Sequence, residues 1–120
     1  MNYKFPKSEK LRLKKDIDKL FDKGKNKFYM PLSVKFIKIG DAPINLCAVS
    51  VPKRKMKKAA DRNRLKRQMR EAYRLNKYIL DDTNTKFHMM FVYSKSEKVP
   101  YLDIEKAMIN LLKHLKTLKK

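Results

Sequence analysis

Apolar residues recur along the chain with two periods, and the switches between them mark out the elements. Leu13, Ile17, Leu20 and Phe21 fall three or four apart, the spacing of one helix face. Ser8 stands where a cap would begin that helix and Gly24 where it would stop. A first helix over residues 8–23 is therefore expected. Between residues 25 and 51 the period shortens. Leu32, Val34 and Phe36 alternate with Ser33, Lys35 and Ile37, a strand pattern. Pro31 separates this strand from a short one near Phe28 and Tyr29. Gly40-Asp41-Ala42-Pro43 reads as a turn. Residues 44–51 are mostly apolar, which predicts a strand in the middle of the sheet, ended by Pro52.

The helical period returns from Ala59 to about Tyr78, through Leu65, Met69, Ala72 and Tyr73. Asp81-Asp82-Thr83-Asn84 is a turn cluster, and residues 87–93 form another apolar strand. Ile104, Met108, Leu111, Leu112, Leu115 and Leu118 make a strongly amphipathic last helix, with Pro100 and Asp103 near its start, where both are favoured. Residues 1–7 are polar and basic around Pro6 and read as a flexible arm. The order helix, two or three strands, helix, strand, helix predicts a two-layer α+β fold. Neither a repeat nor a linker divides the 120 residues, so a single domain over 1–120 is expected.

Charge changes the picture. Thirty-two Lys and Arg face 12 Asp and Glu, a formal net charge of +20. Such a chain repels itself when compact, and a polyanion relieves the repulsion while releasing counterions. No apolar run is long enough to span a bilayer, and the first ten residues lack the apolar stretch of a secretory signal. The lone cysteine, Cys47, cannot form an internal disulfide, in keeping with a reducing compartment. A cytoplasmic protein is expected.

The charge is concentrated in one place. At ~100° per residue, Leu65, Met69, Ala72 and Tyr73 share one arc of the third-quarter helix. Asn63, Lys66, Arg67, Arg70 and Arg74 lie opposite. Lys58, Arg62, Lys66, Arg70 and Arg74 follow one another at four-residue steps, a like-charge arrangement that destabilises an isolated helix. The bland reading is a solvated face, but only Asp61 and Glu71 are at hand to balance it. An external phosphate chain is the better counterpart, since guanidinium groups grip phosphate at two oxygens and stack on bases. Arg62 projects near the apolar arc and is exposed only if the first turn overhangs the sheet. Lys53-Arg54-Lys55 joins the preceding strand to this helix and extends the basic stretch to the helix start, where backbone N–H groups favour anions.

A protein catalytic centre is not indicated. His88 and His114 have no acid or second histidine at motif spacing, and no His-Glu-x-x-His, paired-cysteine or two-metal acidic pattern occurs. Asp81-Asp82 reads as a turn rather than a metal site, and Cys47 as a small buried hydrophobe.

The basic stretch resembles a known family. Ala48-Val49-Ser50-Val51-Pro52-Lys53-Arg54, then Lys58-Ala59-Ala60-Asp61-Arg62-Asn63-Arg64-Leu65-Lys66-Arg67, then Met69-Arg70-Glu71-Ala72-Tyr73-Arg74 is similar to the signature of the bacterial ribonuclease P protein. The core Arg-Asn-Arg-x-Lys-Arg-x-x-Arg behind a Val-Ser strand is specific; an Arg-rich helix alone would not be. The first helix with Gly24 and the final helix fit as well, so the likeness covers nearly the whole chain. It implies an α-β sandwich in the order αβββαβα, like the second domain of ribosomal protein S5, with a left-handed βαβ crossover around the Arg-rich helix. General handedness rules alone favour a right-handed one.

The resemblance also implies a role: binding ribonuclease P RNA and helping it remove the 5′ leader of precursor tRNA. Hydrolysis falls to the RNA and its magnesium, with no cofactor on the protein. By similarity Lys53, Arg54, Lys58, Arg62, Asn63, Arg64, Lys66, Arg67, Arg70 and Arg74 contact the RNA, and Ile17, Phe21, Lys35 and Ser50 line the cleft for the leader. The chain departs from the family at Ile17, where an aromatic is common, near Lys57, where a loop glycine is usual, and after Tyr93, where Ala-Arg-Pro is missing.

Two other readings share the charge. A ribosomal or other structural RNA-binding protein would lack affinity for the leader. A DNA reader would carry mixed polar base readers on its helix, and only Asn63 and Gln68 qualify. A membrane-surface helix is disfavoured because the apolar face is needed for the core.

Overall fold

Alternation within the strands decides the two sides of the sheet. The structure is a computed structural model describing residues 4–40, 42–81 and 83–118. In β2 (Leu32–Ile39), Leu32, Val34 and Phe36 are buried, as are Phe87, Met89, Phe91 and Tyr93 of β4 (Lys86–Tyr93). The strands pair antiparallel with Val34 opposite Phe91 and Phe36 opposite Met89, so their apolar sides coincide. β1 (Lys25–Tyr29) pairs antiparallel with β2, and β3 (Leu46–Ser50) runs parallel to β4. The spatial order is β1-β2-β4-β3.

Two helices cover the apolar side. α2 (Ala59–Asn76) buries Leu65, Met69, Ala72, Tyr73 and Asn76; α3 (Tyr101–Thr117) buries Ile104, Ala107, Met108, Leu111, Leu112 and Leu115. Together with the sheet they form one core. α1 (Lys14–Lys23) lies against the opposite face, where Leu20, Leu11 and Met90 make a smaller cluster with Ile17, Ile37 and Ala48. The element order is thus αβββαβα, as expected, and β3-α2-β4 is its parallel crossover. α2 ends at Asn76, two residues short of the expected end, and passes into a short 3-10 turn, Lys77–Leu80. The Asn76 side chain donates to Ala72 O (2.8 Å) and to Glu105 Oε2 (3.1 Å), tying the end of α2 to α3.

Three expectations are corrected. The apolar strand at 44–51 is not central: β3 is an edge strand, and β2 and β4 occupy the middle. Its apolarity arises because both of its faces are covered, Cys47 in the main core and Leu46 and Ala48 beneath α1. The outer edge is met by the N-terminal segment. Lys10 bridges Cys47, and the Leu11 N–H donates to Cys47 O at 2.9 Å, which hides backbone groups that would otherwise invite another strand.

That contact explains the second correction. Residues 10–11 are drawn out along β3, so the helix begins at Lys14 rather than Ser8, after a 3-10 turn at Lys7–Glu9. Leu11, 4% exposed, takes the core position the pattern assigned to Leu13, which is 60% exposed. The third concerns the N-terminal arm, of which residues 1–3 lie outside the described residues. From Lys4 the chain lies on the body: the Phe5 ring sits 5.1 Å from that of Tyr73, and Lys77 reaches both Lys4 O and, at 2.6 Å, Glu9.

Gly24 stops α1 as the pattern predicts, for a steric reason. Its N–H donates to Leu20 O at 2.8 Å, and a Cβ there would stand 2.3 Å from that same oxygen. In the two expected turns, Asp41 and Asp82 lie outside the described residues.

Leu65→Ala is expected to lower unfolding free energy by roughly 2–5 kcal/mol, whereas Leu13→Ala should stay within about 0.5 kcal/mol of the parent. Urea titration of both variants checks the facing of α2 and the corrected start of α1.

Candidate nucleic-acid interface

With one stripe of α2 buried, the remaining side chains must point away from the sheet. Asn63 and Arg67 are exposed, and Lys66 and Arg70 are half-buried along their stems, as long cationic side chains commonly are. None of the four side chains hydrogen-bonds or ion-pairs with another described residue. Lys53, Arg54 and Lys58 are exposed on the preceding loop. Val51 and Met56, both buried, pin that loop at its ends, and the Lys55 and Met56 N–H groups donate to Pro52 O at 3.0 and 3.1 Å. The loop and helix therefore offer one continuous cationic surface.

Two members of the expected set are engaged within the protein. Arg62 is half-buried and does not overhang into solvent. Its Nη1 donates to Met56 O (3.0 Å) and Lys57 O (2.7 Å), so it holds the basic loop to the helix instead of standing open on the ridge. Arg74 forms a fork with Glu71, at 3.1 and 2.6 Å. The hydrogen bond holds the Glu71 carboxyl below, and the Arg74 guanidinium above, their ordinary values. Asp61, the other acid of the helix, pairs with Lys98 at 3.4 Å. The carboxylates thus serve the margins and leave the middle of the ridge positive. Arg64 is exposed beside this middle.

The other face of the sheet carries a second surface. Strand register aligns Asn26, Lys35, Met90 and Ala48 in one row and Phe28, Ser33, Val92 and Ser50 in the next. α1 covers part of the first row through Leu20 and Ile17. Phe21 is 54% exposed at its edge, and the Lys35 ammonium stands 5.7 Å from the centre of its ring, within reach of a cation–π contact. Ile17 packs into the small cluster and so serves the fold; Ser50 is half-buried at the end of β3, on the same face. Phe28, 64% exposed, belongs to this surface and was not singled out from the sequence. Its signal was present: an aromatic in an otherwise polar, basic strand, Lys-Asn-Lys-Phe-Tyr.

The remaining reactive groups are occupied by structure. Cys47 is buried, and burial together with Glu9 pushes its thiol well above the ordinary value. Burial lowers both His88 and His114, and the His114 ring packs against Phe36. Among the described residues no group of three or more His, Cys, Asp and Glu side chains is placed to hold a metal ion, and no helix is long and apolar enough to cross a membrane.

Comparisons with known proteins bear on the family and the fold. The family model described as Ribonuclease P matches residues 5–116. The ribonuclease P protein component of Clostridium botulinum is 38% identical over 109 residues, spanning 89% of this chain and 94% of that one. That of Porphyromonas gingivalis is 36% identical over 109 residues, spanning 85% and 79%. The solved ribonuclease P protein of Thermotoga maritima superposes with a TM-score of 0.74 at 29% identity, over 93% of this chain and 99% of that one. The Staphylococcus aureus ribonuclease P protein, at 19% identity and a TM-score of 0.76 over 92% and 97%, shares the fold.

Arg67 and Arg62 should respond differently to truncation. Arg67→Ala is expected to reduce the salt slope of RNA binding by ~0.7–0.9 without changing the melting temperature. Arg62→Ala should instead release the 53–58 loop, lowering stability by roughly 1–3 kcal/mol and speeding amide exchange there. Filter binding across a salt series and hydrogen-exchange mass spectrometry separate the two.

Proposed function

The chain belongs to the ribonuclease P protein family, and from that premise we propose that it is the protein subunit of a bacterial ribonuclease P. In this reading it binds the catalytic RNA and the 5′ leader of precursor tRNA and assists RNA-catalysed removal of the leader. The observation that carries the proposal is the middle of α2: Asn63, Lys66, Arg67 and Arg70 face outward without a carboxylate partner among the described residues, while Asp61 and Glu71 are paired at its margins.

The parts divide as follows. The α2 ridge, with Lys53, Arg54, Lys58 and Arg64, holds phosphates of the ribonuclease P RNA, with Arg62 and Arg74 positioning the loop and the ridge end. Each contact releases counterions, which makes binding salt-dependent. The α1 side of the sheet takes the single-stranded leader. Phe21 and Phe28 offer stacking faces, Lys35 a phosphate partner and Ser50 a hydrogen-bonding hydroxyl. Hydrolysis belongs to the RNA and its magnesium. The protein's share is to neutralise backbone charge and to fix the leader, which lowers the magnesium needed. The setting is cytoplasmic, and no membrane or obligate protein partner is required.

Reconstitution tests the proposal. Added to ribonuclease P RNA at low magnesium, the chain should stimulate cleavage of precursor tRNA at the mature 5′ end. The complex should bind precursor more tightly than mature tRNA, and Phe21→Ala should shrink that preference about tenfold if one base stacks there. Equal affinity for precursor and mature tRNA with the unaltered chain would point to a structural RNA-binding protein instead.

A further inference from the structure

A cavity of about 330 Å³ opens beside the basic ridge, between α2 and the segment that leads into α3. Its apolar lining comes from Leu65, Val99 and Tyr101, and its polar lining from Arg64, Gln68 and Lys98. The volume is at the small end of the ~300–1,000 Å³ typical of small-ligand sites, suited to one nucleoside rather than a strand. The cavity lies on the α2–α3 side of the sheet. The α1 face proposed for the leader is on the other side, so an RNA segment reaching the cavity is one already held on α2.

The charges around it are arranged to leave its centre open. Asp61 pairs with Lys98 on the turn of α2 before Arg64, and Glu71 pairs with Arg74 on the turn after Gln68. The side chains of Arg64 and Gln68, four residues apart and so one above the other on the helix, hydrogen-bond to no other described residue. Gln68 is also, with Asn63, one of two uncharged amides on the outward side of α2, set among the cations Arg64, Lys66, Arg67 and Arg70. An amide supplies a donor and an acceptor side by side, the pair that reads a base edge. A phosphate has no use for its acceptor oxygen. An aromatic ring and aliphatic side chains beneath a hydrogen-bonding rim are what an unstacked base requires.

We propose that this cavity receives one unpaired nucleobase of the RNA bound along α2, read at its edge by Gln68, with Arg64 on the adjoining phosphate. The inference rests on the RNA-binding reading above. It adds a sequence-sensitive contact to a surface otherwise built from charge.

The full chain and ribonuclease P RNA suffice to test it. Base-reactive chemical probing reports the base edges, and hydroxyl-radical cleavage reports the backbone. With the unaltered chain, one unpaired base should be shielded in the complex. With Gln68→Ala and Gln68→Glu that base should regain reactivity while backbone protection along the ridge persists. Affinity should fall about tenfold for Gln68→Ala with an unchanged salt slope, because no cation has been removed. Identical base reactivities for all three proteins, with the backbone still protected, overturn the base pocket alone. A backbone left unprotected by the unaltered chain overturns the RNA-binding reading and the pocket with it.

Discussion

The burial of one stripe of α2 is the constraint from which the rest of the structure follows. Leu65, Met69, Ala72 and Tyr73 are each at most 1% exposed, and the Tyr73 ring packs 6.0 Å from that of Phe91 in the central strand β4. Fully burying a large apolar side chain stabilises by roughly 1.5–3 kcal/mol. Like charges four apart on a helix cost only about 0.2–0.5 kcal/mol per pair. Packing therefore outweighs the repulsion among Lys58, Arg62, Lys66, Arg70 and Arg74, and it fixes the helix's rotation. The ridge points outward because turning it inward would expose the stripe.

Within that frame the few carboxylates matter by position. Glu9 pairs with Lys77 where the N-terminal segment crosses the end of α2; Asp61 and Glu71 hold Lys98 and Arg74 at the ridge margins. The Glu9–Lys77 pair is largely buried, with 19% and 11% of the side chains exposed, and it fastens the strand-edge segment over the core. The other two are more exposed, and such pairs contribute little to stability. Their consequence is electrostatic: within α2 they leave the stretch of helix between them as the part whose positive charge is uncompensated. A phosphate backbone laid there meets Lys66, Arg67 and Arg70, whose side chains have no internal partner among the described residues.

Much of this is legible in the amino-acid sequence. Spacing gives the apolar stripe of α2 residue for residue and most of that of α3, and the alternation in β2 identifies its buried side. The errors share a cause. Residues 44–51 looked central because both of their faces are covered, but periodicity reports burial and not hydrogen-bonded neighbours. Leu11 and Leu13 are both leucines near a helix start. The contact of Lys10 and Leu11 with Cys47, more than thirty residues away in sequence, decides which enters the core. The orientation of Arg62 follows the same logic: its place near the apolar arc suggested an overhang into solvent, while the fold brings its Nη1 to the carbonyls of Met56 and Lys57.

The sequence by itself determined the element order, the faces of the long helices, the basic stretch and the family likeness, because these depend on local spacing and residue chemistry. The tertiary structure alone decided the edge position of β3, the docking of the N-terminal segment and the alignment of Phe28 with Ser33, Val92 and Ser50. It alone decided, too, which cations of the ridge are left without an internal partner among the described residues. Those outcomes depend on contacts between residues far apart in the chain, and a hydrogen bond or an ion pair across such a distance leaves no period in the sequence to be read.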